Sequence, residues 1–510
     1  MNEFTGTAVD LQPRDEYNQE LIRNVHPADY QNPEPAEKYN LVVIGAGTAG
    51  LVTAAGAAGL GAKVALVERR FMGGDCLNYG CVPSKGIIRS ARTVAEMRRA
   101  PEFGIHLTGK PKVNFAEVME RMRKIRSGIS HHDSVERFSE ELGIHVFLGE
   151  AHFVGDGSVK VGDAVLKYKK AVIATGARPI EPNIPGLKEA GFLTNETLFS
   201  ITDQPGSLAI LGAGPIGCEM AQTFQRLGTR VTLIDNSDRI FSREDPDALD
   251  ILEETFRNEG IEIRTSTTLE NVSTSNGSKI LTLKSAGDTD NITVDEILVG
   301  VGRTPNIESL NLDAVGVEFD SDGVQVNDRL QTTNKKIFAA GDVCLPYKFT
   351  HAADAAARIV IQNALFMGRS KVSDLVVPWT TYTEPEISHV GMYEHEAHEA
   401  GIEIQTFRRD LKDVDRAKLD GETDGFVKVI TEQGKDQILG ATIVADNAGD
   451  MISEITLAMV GDVGLSKLAN VIHPYPTQAE AIKQVGDAYN RTRLTPFVQK
   501  LFKKWLAWTR

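Results

Sequence analysis

Short apolar runs, each closed by glycine, recur along the first two thirds of the chain. Tyr39 to Ile44, apolar from Leu41 onward, predicts a strand that enters Gly45-Ala46-Gly47-Thr48-Ala49-Gly50 and then a helix of small residues. Lys63 to Val67 predicts the next strand and ends at Glu68. The same order returns at Ser207 to Leu211, Gly212-Ala213-Gly214-Pro215-Ile216-Gly217 and Arg230 to Ile234, which leads to Asp235. In both copies the acid stands 23 positions after the first glycine, so the chain carries an internal repeat.

Between the copies, Asn114 to Leu142 has helical periodicity, and Ala171-Val172-Ile173-Ala174-Thr175-Gly176 reads as a strand entering a glycine turn. Beyond the second copy, Glu296 to Gly300 and Ile337 to Ala340 predict short strands, the latter followed by Gly341-Asp342. From about Val376 the pattern changes to strands at Phe426 to Ile430 and Ile438 to Val444, then a helix near Ala448 to Val460. The expected fold class is α/β, with two Rossmann-like nucleotide-binding domains followed by a separate α+β domain. At about 150 residues per domain, the 510 residues suggest roughly three domains. The boundaries place a first nucleotide-binding domain over 39–185, resumed over 306–375, a second over 186–305 and the α+β domain over 376–488.

The two ends differ from this body. Residues 1–38 carry eight acidic and three basic side chains and include Asn32-Pro33-Glu34-Pro35, a composition that predicts a mobile extension or a strap across the surface. Residues 489–510 form a basic amphipathic tail. From Arg491 to Arg510 it has six basic and no acidic side chains, interleaved with Phe497, Leu501, Phe502, Trp505, Leu506 and Trp508. Docking on the protein's own acidic surface is the expectation, with a partner protein or peripheral membrane contact as the alternative.

Composition narrows the function classes. Hydrophobic residues make up 41% and charged residues 25%, and the net charge of -15 argues against general nucleic-acid binding. There is no secretory leader pattern and no run of 18 uncharged apolar residues, so a soluble, cytoplasmic protein is expected. Four cysteines, at 76, 81, 218 and 344, do not make a disulfide-stapled framework.

Each glycine turn follows a strand and opens a helix, the arrangement that binds a dinucleotide. Gly45 and Gly212 make the turns, Gly47 and Gly214 permit close pyrophosphate approach, and Gly50 and Gly217 let helix and strand pack. Glu68 and Asp235 are then candidates to accept ribose hydroxyls. A carboxylate at Asp235 repels the extra phosphate of NADPH, so NADH is preferred, while Arg239 and Arg243 leave NADPH possible.

Cys76 and Cys81 lie within Gly73-Gly74-Asp75-Cys76-Leu77-Asn78-Tyr79-Gly80-Cys81-Val82-Pro83-Ser84-Lys85, just beyond the first repeat. Four intervening residues can close as one helical turn, so the pair can cycle between dithiol and disulfide. A purely structural disulfide is the alternative. A structural zinc site is poorly served, because the other two cysteines are distant and no histidine stands close.

With these motifs in this order, together with Ala174-Thr175-Gly176, Gly302-Arg303-Thr304-Pro305-Asn306 and Ala340-Gly341-Asp342, the sequence resembles the flavin-dependent pyridine nucleotide–disulfide oxidoreductases over roughly residues 39 to 488. The mercuric reductase-like and dihydrolipoamide dehydrogenase-like branches are the nearest in pattern. The resemblance implies FAD at the first site, NAD(P)H at the second and a C-terminal domain that forms a homodimer. It implies that Glu68 binds the adenosine ribose of FAD, that Gly74, Thr175, Gly176 and Gly341 belong to the flavin-binding motifs, and that Asp342 bonds the ribityl chain; Asp342 as a helix cap is the alternative. Gly300, Gly302 and Arg303 resemble the turn back into the flavin domain, with Arg303 as an ordinary salt-bridge residue the alternative. Cys81 resembles the flavin-facing cysteine and Cys76 the outer one that meets the acceptor. Lys85, four positions beyond Cys81, resembles the family lysine paired with the glutamate found here as Glu219.

The C-terminal motif departs from the disulfide-reductase pattern. It reads His473-Pro474-Tyr475-Pro476-Thr477-Gln478-Ala479-Glu480, and Tyr475 occupies the position of the expected histidine base, while Glu480, its usual partner, is kept. A phenol titrates near pH 10 rather than near neutrality, so Tyr475 is expected to orient or donate a hydrogen bond. His473 substitutes as base only if it points inward. A tyrosine here resembles mercuric reductases, which also use a C-terminal cysteine pair, whereas this sequence has no cysteine after Cys344. No resident metal site is expected, although Cys76 and Cys81 offer a soft contact for Hg(II). The expected function is an NADH- and FAD-dependent oxidoreductase reducing a metal ion, a small disulfide or a quinone. A dihydrolipoamide dehydrogenase-type enzyme and a flavin-containing redox sensor or binding protein are the alternatives.

Overall fold

The computed structural model describes residues 11–109 and 111–510, so the first ten residues of the predicted N-terminal extension lie outside the described residues. Two compact units emerge. The first runs to Asn236 and resumes over Ile261–Leu375; the second comprises Ser237–Gly260 and Val376–Arg510.

In the first unit, Tyr39–Ile44 lies between Val64–Glu68 and Ala164–Ile173, parallel to both, with Val43 opposite Leu66 on one side and Val172 on the other. His145–Leu148 and Ile337–Ala339 extend this sheet, again in parallel. Strands covered on both faces become nearly continuous apolar runs, which is why Val64–Glu68 is buried along its whole length. The long strand Ala164–Ile173 changes character midway. Its first half pairs antiparallel with Ser158–Val161 and alternates between buried and exposed, and its last three residues are buried inside the parallel sheet.

The repeat builds a second parallel sheet in the same unit, ordered Glu262–Arg264, Arg230–Ile234, Ser207–Leu211, Glu296–Val299. An antiparallel ribbon of Thr267–Ser275, Ser278–Ser285 and Asp288–Val294 follows it, with Leu281, Leu283 and Val294 turned into the core. The helical periodicity of Asn114 to Leu142 does not give one helix. An α-helix spans Phe115–Ser130, the chain then tightens through His131–Asp133, and Ser134 restarts it by accepting the Arg137 amide through its hydroxyl at 3.1 Å. Within the N-terminal stretch, Glu16–Val25 is a packed helix capped by Asp15, with Leu21 and Val25 fully buried.

The second unit is an antiparallel sheet ordered Trp379–Thr381, Glu386–Gly391, Ile438–Ala445, Phe426–Glu432, Ile404–Asp410, packed with helices Ala448–Val460 and Glu480–Thr492. Polar anchors hold the segment Ser237–Gly260 to it. Glu244 accepts hydrogen bonds from Trp379 Nε1 at 2.9 Å and the Tyr393 hydroxyl at 2.6 Å, and the Lys428 ammonium meets Asp245 at 2.9 Å and also Asp247.

Candidate active site

The two glycine turns are built alike. Gly45 and Gly212 both have positive φ, +101° and +97°, and a Cβ on either would fall 2.3 Å from Ala174 O or 2.5 Å from Gly300 O. At Gly50 and Gly217 a Cβ would meet the carbonyl oxygen of Gly45 or Gly212, at 1.8 and 1.9 Å, so both helices start against their own turns. Gly47 and Gly214 stand at the helix N-caps. The acids also act alike. Glu68 accepts the Ala46 amide at 2.7 Å and Asp235 accepts the Ala213 amide at 2.6 Å, a role that sequence alone did not assign to either. Glu68 takes the Arg70 amide as well, and burial pushes its carboxyl above the usual range.

Beside the first turn lies an open cleft bordered by Gly45, Glu68, Gly149, Thr175 and Asn306 among others. Thr175 and Asn306 tie its wall. The Thr175 hydroxyl donates to Asn306 O at 2.7 Å, and the Asn306 amide returns a bond to Thr175 O at 2.9 Å. Gly176 and Gly302 turn the chain with positive φ on either side of the ribbon formed by Ala177–Pro179 and Arg303–Pro305. The glycine turn free of side chains, the acid at the strand end and the adjoining cleft fit the adenosine diphosphate half of FAD.

The cysteine segment is fastened to that turn. The Gly73 amide donates to Ala46 O at 2.9 Å, and a Cβ on Gly74 would fall 2.5 Å from the Cα of Gly47. Cys76 rides on the short helix Gly74–Asn78, and Cys81 opens the long helix Cys81–Arg99. The two side chains interact, with Cys76 as donor and Cys81 as acceptor. Cys81 is held below the usual thiol range, chiefly by the Cys76 thiol donating to it and then by the Lys85 ammonium, while Cys76 is correspondingly raised. Cys81 is the more exposed and Cys76 half-buried, so exposure in the chain alone does not follow the division of roles that the resemblance implies. Thr350, which the sequence reading missed, places its hydroxyl 3.6 Å from the Cys81 sulfur. It stands 269 positions away, with no local signal beyond the start of the helix Thr350–Phe366.

Lys85 and Glu219 meet as the motif suggested. The ammonium lies 3.1 and 2.9 Å from the two carboxylate oxygens, and the Glu219 side chain is almost wholly buried. Arg303 reaches two carboxylates, Asp75 at 3.4 Å and Asp342 at 3.7 Å, and donates to Ala177 O at 2.7 Å. Asp75 is further fixed by the Asn195 side-chain amide at 2.9 Å. No helix opens at Val343, which removes the capping alternative for Asp342; its carboxyl is raised by burial, with Arg303 opposing. A Cβ on Gly341, just before it, would lie 3.1 Å from that of Ala49. The remaining thiols are set apart: Cys218 donates to Ala213 O at 3.4 Å, and burial pushes Cys344 up to about 12.

In the second unit, Tyr475 is 71% exposed and donates its hydroxyl to Asp415 at 3.1 Å, and that bond raises its pKa further. His473 pairs with Glu454 at 3.0 Å, and its side chain is 5% exposed. Glu480 opens the helix Glu480–Thr492. Arg239 is held by Asp250 at 2.7 Å and Glu253 at 3.1 Å, and Arg243 is exposed. The expected docking of the tail on the protein's own acidic surface is not seen among the described residues, where no residue of Arg491–Arg510 is buried.

Among known proteins, the pyridine nucleotide-disulphide oxidoreductase family matches residues 39–357, and its dimerisation domain matches residues 377–485. Mercuric reductase of Staphylococcus aureus is 35% identical over 491 residues, covering 94% of this chain and 89% of its own length. Dihydrolipoyl dehydrogenase of Bacillus subtilis (strain 168) is 32% identical over 466 residues, covering 88% and 98% respectively. In structure, the HOCl-induced flavoprotein disulfide reductase RclA from Escherichia coli superimposes with a TM-score of 0.79 at 28% identity, covering 88% of this chain and 99% of its own. Its Cu(II) complex gives a TM-score of 0.78 at 28% identity, covering 87% and 98%. The duplicated nucleotide turns, the cysteine pair beside the first of them and matches along nearly the whole length place the chain in the pyridine nucleotide-disulphide oxidoreductase family, as an NAD(P)H-dependent flavoprotein that uses FAD.

Proposed function

We propose that this oxidoreductase takes electrons from NADH and delivers them through the Cys76–Cys81 pair to a soft metal ion or small acceptor, in the manner of the mercuric reductase-like branch and as a homodimer. FAD, when bound, supplies a two-electron carrier between the nicotinamide and the sulfurs. Gly45, Gly47, Gly50, Glu68, Gly74, Thr175, Gly176, Gly341 and Asp342 would hold it. Gly212, Gly214, Gly217, Asp235, Gly302 and Arg303 would serve the nicotinamide nucleotide. Asp235 disfavours a 2′-phosphate, and the ion pairs of Arg239 leave that cation already neutralised, which supports NADH over NADPH. Lys85 keeps positive charge near Cys81, and Glu219 fixes the ammonium.

The observation that carries the choice of acceptor is Tyr475. A phenol whose pKa is raised by Asp415 cannot take a proton from a dithiol near neutrality, and His473, enclosed against Glu454, is not presented to a substrate. Oxidation of dihydrolipoamide needs such a base, whereas a soft cation binds thiolate sulfur directly. Tyr475 and Glu480 then shape the acceptor site and do not move its protons. The Cu(II) complex of the E. coli relative supports a metal ion as acceptor class.

The test compares NADH with NADPH as donor and Hg(II), Cu(II), lipoamide and a soluble quinone as acceptors. Turnover of a metal ion with NADH, lost in Cys76→Ser while flavin is retained, is expected. Lipoamide turnover exceeding that of every metal ion would overturn the proposal.

A further inference from the structure

The helix Pro496–Trp508 is well made, yet among the described residues nothing buries it. Thr495 caps it by accepting the Val498 amide, Pro496 occupies its first turn, and no glycine interrupts it. Its side chains divide cleanly around the circumference. Phe497, Leu501, Trp505, Val498, Phe502 and Leu506 sweep one half in helical order, with Trp508 beside Phe497, while Gln499, Lys500, Lys503 and Lys504 take the other. The apolar half faces water: Phe497 is 75% exposed, Trp505 58% and Trp508 78%. The family's dimerisation domain ends at residue 485, before this helix begins.

We infer that this helix is a membrane-surface anchor that lies in the plane of an anionic lipid bilayer. Charge selects the partner. The tail's six basic side chains are part of a chain total of 55, so 49 remain against 70 acidic ones elsewhere. The body is repelled by anionic headgroups, and the tail brings six basic and no acidic side chains to meet them. Shape selects it as well. An apolar half-circumference is wider than the seam two helices share, and a second copy would set lysine edges against lysine edges with no carboxylate to separate them. A lipid surface accepts both faces, with aromatic side chains at the headgroup boundary and ammonium groups among the phosphates. The helix lies on such a surface and does not cross it, for among the described residues none is long and apolar enough to span a bilayer.

The test floats the purified full-length flavoprotein with vesicles of phosphatidylcholine alone or phosphatidylcholine mixed with phosphatidylglycerol. Recovery with the mixed vesicles roughly tenfold above the neutral ones, falling as salt is raised, is expected. The double variant Leu501→Asp, Trp505→Asp should stay unbound while keeping its flavin and its NADH-dependent turnover of a soluble acceptor. Absence of flotation on anionic vesicles, or equal flotation of the variant, overturns the inference. A smaller assembly mass for the variant in lipid-free buffer also overturns it, because the helix would then be covered by a second copy.

Discussion

A single ammonium group connects the nucleotide framework to the sulfur chemistry. Lys85 is placed by the buried Glu219 carboxylate, and its charge favours Cys81 as thiolate second only to the Cys76 thiol. Replacing it with Met removes that charge and leaves the rest of the helix Cys81–Arg99 in place. Alkylation of Cys81 at about pH 5, below its pKa of about 6, read by peptide mass spectrometry, should slow by about tenfold for each unit by which the pKa rises. An unchanged rate would mean that the Cys76 thiol alone sets the titration. Lys85, Glu219 and both cysteines were legible because they occupy positions in an ordered motif. Thr350 was not, since a hydroxyl that reaches a sulfur from 269 positions away leaves no local pattern. The amide bonds of Glu68 and Asp235 were equally hidden, because spacing shows where an acid lies but not that it faces its own turn.

At the level of elements, strands were read to within a residue or two wherever apolar runs were covered on both faces, as in Tyr39–Ile44 and Ser207–Leu211. Polar composition concealed the helix Glu16–Val25. Its buried surface rests on few side chains, and much of its attachment is polar: Asn18 accepts from Arg126 at 2.7 Å, Asn24 donates to Ser130 at 2.8 Å, and Asp15 pairs with Arg123. Arg126 also donates to Asn78 O at 2.8 Å, two residues after Cys76, so this helix supports the segment that carries the redox pair. Leu21, fully buried in the same core as Leu77 and Tyr79, is its main apolar anchor. Leu21→Ala should cost about 2–5 kcal/mol in denaturant unfolding. A cost below about 0.5 kcal/mol, the range of surface changes, would show that the helix is not part of the cooperative core.

For the molecule as a whole, acid is expected to weaken the second unit through His389. The ring is 1% exposed, its Nδ1 and Nε2 lie 2.9 Å from Thr442 Oγ1 and 3.1 Å from Gly391 O, and it stacks on Tyr393 with centroids 3.6 Å apart. Burial pushes its pKa down from 6.5 to about 3. The unfolded chain therefore binds this proton first. The stabilisation is complete above about pH 6.5 and is lost as pH falls toward 3. Unfolding free energy should be lower at pH 5 than at pH 7, and His389→Gln should shrink that difference; the comparison with the variant separates His389 from Glu244, whose raised carboxyl acts in the opposite sense. The duplicated turn carries a consequence of another kind. Glu68 and Asp235 each hold the amide that follows the first glycine, so part of each carboxylate is committed to the backbone before any nucleotide arrives. Both glycine turns are thus preorganised, and a nucleotide bound there would cost less ordering entropy than a loose glycine loop would demand. Weaker cofactor retention after Glu68→Ala would then combine a loosened turn with the loss of the proposed ribose contact, and its size would overstate what that contact contributes.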